Sequence, residues 1–342
     1  MQRPEFQAII REAMPARLNA NYRLGSFYAL VTALLYAVQE PFSFLAASRL
    51  SAVAFVCLTQ IALFLSIPML TLNPTSRRDF VALLTDGSNY GRLAVIFAIG
   101  MTGLLLYNFG LSNAHPIIVS AILNLLPFWA ALVALLVMRV PIPVSPPVFF
   151  LCFAGAFLGA MAVAWSQLSD VERQSMNALL TQFLHGSWVY ALPVPVCTAL
   201  GATLIGRWFG KYDESAAIAA NFLFANVILI PATLVALSYR SELNVDQPLA
   251  IALMIVGTII AASVGRVFYQ VALTATAGDN GFVSMFLNLV PALTAAISFA
   301  LSWCIASLHF AFDATFFLGL ALIGASLAEF TRRSWGQARD GS

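Results

Sequence analysis

Two charged side chains, Glu40 and Arg266, stand inside long apolar stretches of the sequence, where an ionised group is expensive to keep. A carboxylate at membrane depth faces the protein interior or a water-filled cavity, so Glu40 is a candidate for binding a substrate or carrying a proton. The guanidinium of Arg266 presents a fork of donors that suits carboxylate or phosphate. It is therefore a candidate anchor for an anionic substrate group.

Both charges also have structural explanations, and the sequence leaves these open. Glu40 could be protonated or salt-bridged near the outer interface, where Pro41 ends a regular stretch of helix. Arg266 could pair with Glu40 or with a helix-end carbonyl, or its side chain could extend to the inner interface. On a helix, Tyr36 and Gln39 share the face of Glu40, which adds both to the candidate binding surface.

A polar seam occurs twice in the chain. The octet from Ser120 to Pro127 returns 164 residues later, from Ser284 to Pro291, with five of eight positions identical. Serine, asparagine and proline stand at i, i+4 and i+7 in both copies, so each triplet lies on one helical face. We expect binding roles for the serines and asparagines and hinge roles for the prolines; the six residues are Ser120, Asn124, Pro127, Ser284, Asn288 and Pro291.

Upstream of the octets the similarity continues. Tyr107 and Asn108 are matched 162 residues later by Tyr269 and Gln270. Matches in the same order along both halves indicate an internal duplication. All four residues are candidates for binding substrate.

The composition is that of an integral membrane protein. Of 342 residues, 61% are hydrophobic and only 9% charged, against about 25% charged in soluble proteins. Ten apolar runs are long enough to cross about 30 Å of hydrocarbon; they lie near 25–47, 51–70, 92–111, 114–138, 146–167, 186–206, 216–238, 248–276, 281–306 and 313–331.

Ten spans divide into two repeats of five, and an odd number per repeat inserts the second repeat upside down. With the N-terminus inside, 13 Lys and Arg lie in inner segments and three in outer ones, which with Arg266 accounts for all 17. That bias predicts a multi-pass protein of the plasma (inner) membrane with both termini cytoplasmic.

The expected fold is therefore all-α, with ten transmembrane helices as two inverted five-helix repeats. The expected segments are a cytoplasmic amphipathic stretch (1–24), the first repeat (25–167), an extracytoplasmic connector (168–185), the second repeat (186–331) and a cytoplasmic tail (332–342). Within the first repeat, the stretch from Asn73 to Gly91 is predicted to be a polar inner loop. The small residues of span five, from Gly155 to Ala160, predict a helix that packs closely.

The pattern resembles the drug/metabolite transporter superfamily, in particular its EamA-like members with ten helices. The resemblance is carried by Tyr107 and Tyr269 before two helix turns, and by the seam and proline of spans four and nine. Two positions depart from it: Arg139 replaces an acidic residue, and Tyr36 a tryptophan. The resemblance implies alternating access through a central cavity, for cargo such as amino acids, nucleotide sugars, phosphorylated sugars, choline or drugs.

The first hypothesis is a secondary transporter that exports a small amphipathic metabolite, such as an amino acid, with Glu40 as proton-coupling candidate. An alternative is a transporter or flippase of a lipid or lipid-linked head group. An enzyme is not expected, since the sequence has no HExxH, no paired carboxylates at helical spacing and no glycine-rich phosphate loop. We expect no metal, cofactor or nucleic acid, only a small-molecule substrate and membrane lipids, with the protein a monomer or homodimer.

Overall fold

A computed structural model describes residues 21–113, 116–142, 144–167, 187–238, 248–276, 283, 286–287, 289–305, 308 and 312–340. All regular elements in these ranges are helical. The α-helices are α1 (Tyr22–Ala47), α2 (Ala52–Leu70), α3 (Pro74–Thr85), α4 (Tyr90–Asn113), α5 (Pro116–Leu123), α6 (Leu126–Val133), α7 (Pro146–Ser166), α8 (Val194–Phe209), α9 (Glu214–Ser238), α10 (Pro248–Ile259), α11 (Arg266–Ala275), α12 (Val290–Ser302) and α13 (Ala314–Asp340). Two π-helical turns, Ala134–Met138 and Ile260–Gly265, follow α6 and α10.

Eight stretches of the described chain are long and apolar enough to cross a membrane. Two shorter apolar helices, Glu214–Leu229 and Val290–Ser302, occupy the positions expected for spans seven and nine. The all-helical membrane class is therefore confirmed, while ten crossings stay a prediction. Residues 1–20 of the amphipathic stretch expected at 1–24 and the connector at 168–185 lie outside the described residues.

Helix starts follow from side-chain caps. The side chain of Asn21 accepts from the Leu24 amide at 3.0 Å, and Ser51 accepts from the Ala54 amide at 3.2 Å. Such caps satisfy amides that have no partner in the first helical turn. The starts of α1 and α2 thus lie within a few residues of the boundaries that apolar length predicted.

The segment from Asn73 to Gly91, expected as a polar loop, contains a helix instead. Asn73 caps α3 by accepting from the Thr75 amide at 3.0 Å, and Pro74 suits the first helical position. Leu83 is fully buried, and Phe80 and Leu84 pack around it. The prediction missed α3 because this apolar face is short and interrupted by charges.

α3 is tied to the start of α9 by one carboxylate. The Asp79 Oδ2 atom accepts from the Asp213 amide at 2.9 Å, and the next residue, Glu214, begins α9. That hydrogen bond, followed by the weaker influence of Arg78, lowers the pKa of Asp79 below its usual value. α3 is therefore held against the N-terminal end of α9.

Asp79→Asn should remove the part of the protein's folding stability that wild type loses in acid. Because its folded pKa is lowered, the Asp79 carboxylate stabilises the fold above the unfolded pKa of about 3.9 and loses this effect as pH falls through the folded pKa. Thermal unfolding in detergent should show wild type above Asp79→Asn at neutral pH and the two converging in acid. Parallel curves would assign the acid sensitivity to other groups.

Several helix pairs join the two halves of the chain. α1 packs on α10, α11 and α12, while α8 packs on α4 and α6; α2 contacts α10, and α9 contacts α4. Three further pairs are α2 with α9, α5 with α12 and α7 with α13. α1 thereby contacts helices from both halves of the chain, since it also contacts α4.

α7 and α13 approach most closely at two glycines. A Cβ added to Gly159 would lie 2.6 Å from the Gly319 carbonyl oxygen, and one added to Gly319 would lie 2.7 Å from the Gly159 carbonyl oxygen. This reciprocal contact confirms the expectation that span five packs closely through small residues.

Candidate functional site

α1 contains a proline in its membrane-spanning stretch. The backbone carbonyl that this proline leaves without a partner in its own helix accepts a hydrogen bond from another helix. Pro41 has no N–H for the carbonyl of Ala37, four residues back. The Thr294 hydroxyl of α12 donates to that carbonyl at 3.4 Å, and both residues are fully buried. Thr294 thus holds the two helices together beside Glu40.

Thr294→Val should destabilise the protein by about 1–2 kcal/mol, because it leaves the buried Ala37 carbonyl without a donor. The matched control is Thr331→Val, since the Thr331 hydroxyl only bonds to Leu327 in its own helix. Thermal unfolding of both variants in detergent measures the difference. Equal shifts would mean that the contact between the helices contributes no stability.

Glu40 is held by a tyrosine from α4. The Tyr107 hydroxyl donates to Glu40 Oε2 at 2.7 Å, and the two residues are 8% and 7% exposed. The Tyr107 ring packs against Phe55 of α2, with ring centroids 6.4 Å apart. Ser43, one turn beyond Glu40 on α1, is also buried. The acid is therefore enclosed by spanning helices and has one strong hydrogen bond.

On α4 and α5, two buried polar groups keep unused bonding capacity. Within the described chain, the Asn108 side-chain amide nitrogen and the Ser120 hydroxyl have no hydrogen-bond partner. They are 2% and 1% exposed. Asn124, by contrast, donates its side-chain amide to the Ser120 carbonyl at 2.8 Å. Buried groups without partners are uncommon in folded proteins and mark positions where a water or a ligand would bind.

The first octet interrupts its helix. α5 ends at Leu123, and α6 begins at Leu126 with Pro127 in its first turn. In the second half, Pro291 stands in the first turn of α12, and Ser284 and Asn288 lie outside the described residues. The break before Pro127 is compatible with the hinge role, which stays a prediction, as does the hinge role of Pro291.

Arg266 pairs with a glutamate from α9. Its Nη2 atom forms an ion pair with Glu214 Oε1; the arginine side chain is 20% exposed and the glutamate 52%. The Tyr269 ring centroid lies 5.3 Å from the guanidinium carbon, and Tyr36 is near enough to interact electrostatically. A Cβ on Gly265 would lie 2.8 Å from the Tyr36 ring, so only glycine permits this approach.

The structure thus brings several candidate residues together in two groups, each of which includes one residue of α1. Glu40, with Tyr107, belongs to one, and Tyr36, one turn earlier, belongs to the other with Arg266. The pairing of Glu40 with Arg266, which the sequence left open, does not occur, since each has a different partner. Three further candidates, Gln39, Tyr269 and Gln270, are partly exposed.

Sequence reasoning missed two residues of these groups. Thr294 could have been sought, because Pro41 predicts an unpaired carbonyl at Ala37 that some neighbouring donor must satisfy. Glu214 carried no such signal, since an acid at the start of a span is usually only a solvated helix end. Both depend on how separate helices pack.

The described residues contain no group of three or more His, Cys, Asp or Glu that could hold a metal ion. Chemically, the site offers a buried carboxylate with a phenol donor, an arginine paired with a glutamate, and amide and hydroxyl groups able to bind a polar solute. Compared with known proteins, the chain matches no family model and no curated protein.

Proposed function

We propose that the protein is a secondary transporter that moves a small amphipathic metabolite by alternating access between its two halves. The observation that carries the proposal is the Glu40 carboxylate, enclosed among membrane-spanning helices and bonded to Tyr107. An enclosed acid in a bundle with almost no charge is typical of proton or substrate sites in transporters. The proposal includes export as the direction and an amino acid or similar solute as the cargo.

The packing pairs support an inverted duplication. In the proposed duplication α1 corresponds to α8, and α10 with α11 corresponds to α4. The contact of α1 with α10 and α11 therefore has its counterpart in the contact of α8 with α4. The same correspondence turns α1 with α12 into α8 with α6, and α2 with α10 into α9 with α4. Two further pairs, α2 with α9 and α7 with α13, exchange with themselves. A two-fold relation between the halves would support a working surface between them, as in inverted-repeat transporters.

The proposal extends to the EamA-like transporters as the group to which the chain belongs, through Tyr107, Tyr269 and the seam before Pro127. Both termini are placed in the cytoplasm, because the Lys and Arg bias is strong. Tyr107, Asn108, Ser120 and Asn124 would bind solute from the first half. Arg266, with Tyr269 and Gln270, would bind it from the second.

Uptake into proteoliposomes tests the proposal. Purified protein is reconstituted, and radiolabelled amino acids, amines, nucleosides, sugars, organic anions and lipid head groups are added in turn, with and without an imposed pH gradient. Saturable uptake of one class above protein-free liposomes is expected. If uptake of every class equals that of the protein-free liposomes, the transporter proposal is wrong.

A further inference from the structure

The ion pair of Arg266 with Glu214 joins a half-buried group to an exposed one. The arginine side chain lies mostly inside the bundle at the start of α11, whereas more than half of the glutamate side chain is exposed at the start of α9. Glu214 can therefore turn into solvent by rotating its own side chain. Arg266 cannot follow, because its side chain is only 20% exposed, beside the Tyr269 ring of its own helix and near Tyr36 of α1.

The guanidinium also has donors that Glu214 does not use. In the described chain the Arg266 Nε atom is buried without a hydrogen-bond partner, and only Nη2 bonds to Glu214. Arginine presents these two N–H groups side by side, which is the geometry that two carboxylate oxygens accept together. The present pairing is therefore incomplete, and a better-placed carboxylate could use both donors.

We propose that Glu214 occupies, within the chain, the place of a carboxylate carried by the transported solute. The solute carboxylate displaces Glu214 from Arg266 and accepts from Nε and Nη2, while Glu214 turns into solvent. This inference rests on the proposed transport function and specifies one chemical group of the solute. It also makes Glu214 a residue that sets affinity, because every carboxylate ligand must compete with it.

The test measures ligand binding to full-length protein in detergent by thermal shift at pH 7. The probes are benzoate, whose ring can pack against Tyr36 and Tyr269, and benzamide, its neutral isostere. In Glu214→Gln the internal competitor is gone, so benzoate should bind at least tenfold more tightly than to wild type. Benzamide should stabilise neither protein, and Arg266→Gln should respond to neither probe.

A matched control is Glu329→Gln. Glu329 is an acid paired with Arg332 and Arg333 on α13, away from Arg266. This variant should bind benzoate with the wild-type affinity. Because Glu214→Gln leaves the Arg266 charge unpaired and could fold poorly, the double variant Glu214→Gln/Arg266→Gln is measured as well. It carries neither charge and should give no benzoate shift.

Equal benzoate affinity in wild type and Glu214→Gln would overturn the inference, as would no benzoate binding to Glu214→Gln or an equal response of the double variant. Inorganic phosphate that binds Glu214→Gln more tightly than benzoate would overturn the choice of a carboxylate. None of these measurements involves flux. Uptake by wild-type proteoliposomes can therefore stand while this inference fails, and absent uptake rejects the function independently.

Discussion

Glu40→Gln should abolish accumulation of solute driven by a pH gradient while leaving exchange across the membrane in place. In wild type, a carboxylate that carries one proton per cycle supports about tenfold accumulation per unit of pH gradient. Glutamine has the same shape and cannot take up the proton, so the accumulation ratio should fall to about 1. The measurement is uptake into proteoliposomes, with and without the gradient, of a solute found in the uptake screen.

Two variants separate the carboxylate from its surroundings. Tyr107→Phe removes the hydroxyl that donates to Glu40 and keeps the ring packed on Phe55, so the accumulation ratio should persist at a lower rate. Glu329→Gln changes an acid bonded to Arg332 and Arg333 and should leave both ratio and rate unchanged. An unaltered ratio in Glu40→Gln would remove Glu40 from the coupling mechanism and leave a facilitator or an exchanger.

Gly159→Ala should destabilise the protein by up to about 3 kcal/mol, at the upper end of the usual cost of overpacking. The new Cβ would lie 2.6 Å from the Gly319 carbonyl oxygen and 2.9 Å from the Ile323 amide nitrogen. Both are backbone atoms, so α7 and α13 must separate to admit one methyl group. Thermal unfolding in detergent, checked by size-exclusion chromatography, measures the loss.

Gly324→Ala is the matched control in α13. A Cβ at Gly324 meets no atom within 4 Å, so the substitution should be neutral or stabilise the helix by up to about 1 kcal/mol. Opposite signs for the two glycines are the expected pattern. Destabilisation of similar size in both variants would show that the loss does not come from the close approach of α7 and α13.

Much of the architecture could be predicted because hydrocarbon thickness constrains it. Apolar length alone located the start of α1 and the end of α7 to within three residues of the structure. α3 was missed, since its buried face is Leu83 with two neighbours, too short to separate from a polar loop. The close-packed span five was predicted from Gly159, because small residues have few other uses at that spacing.

The candidate site was only partly predictable. Glu40 and Arg266 were found because a charge inside an apolar run is conspicuous, and the partner of each was not. Tyr107 is 67 residues from Glu40, and Glu214 is 52 residues from Arg266. A pattern along one helix does not specify which face of a distant helix meets it, so these contacts required the packed structure.

Accessibility of Ser120 to each side of the membrane tests alternating access most directly and needs no known solute. Ser120→Cys is made after the native cysteines, Cys57, Cys152, Cys197 and Cys304, are replaced by serine or alanine. A membrane-impermeant maleimide is applied to right-side-out and to inside-out vesicles. The control is Ala160→Cys on α7, since Ala160 is fully buried in the packed core.

If the protein works by alternating access, Ser120→Cys, 1% exposed in this conformation, is labelled in both kinds of vesicle, and Ala160→Cys is labelled in neither. Labelling of Ser120→Cys in neither preparation, or in one only, would contradict alternating access around this site.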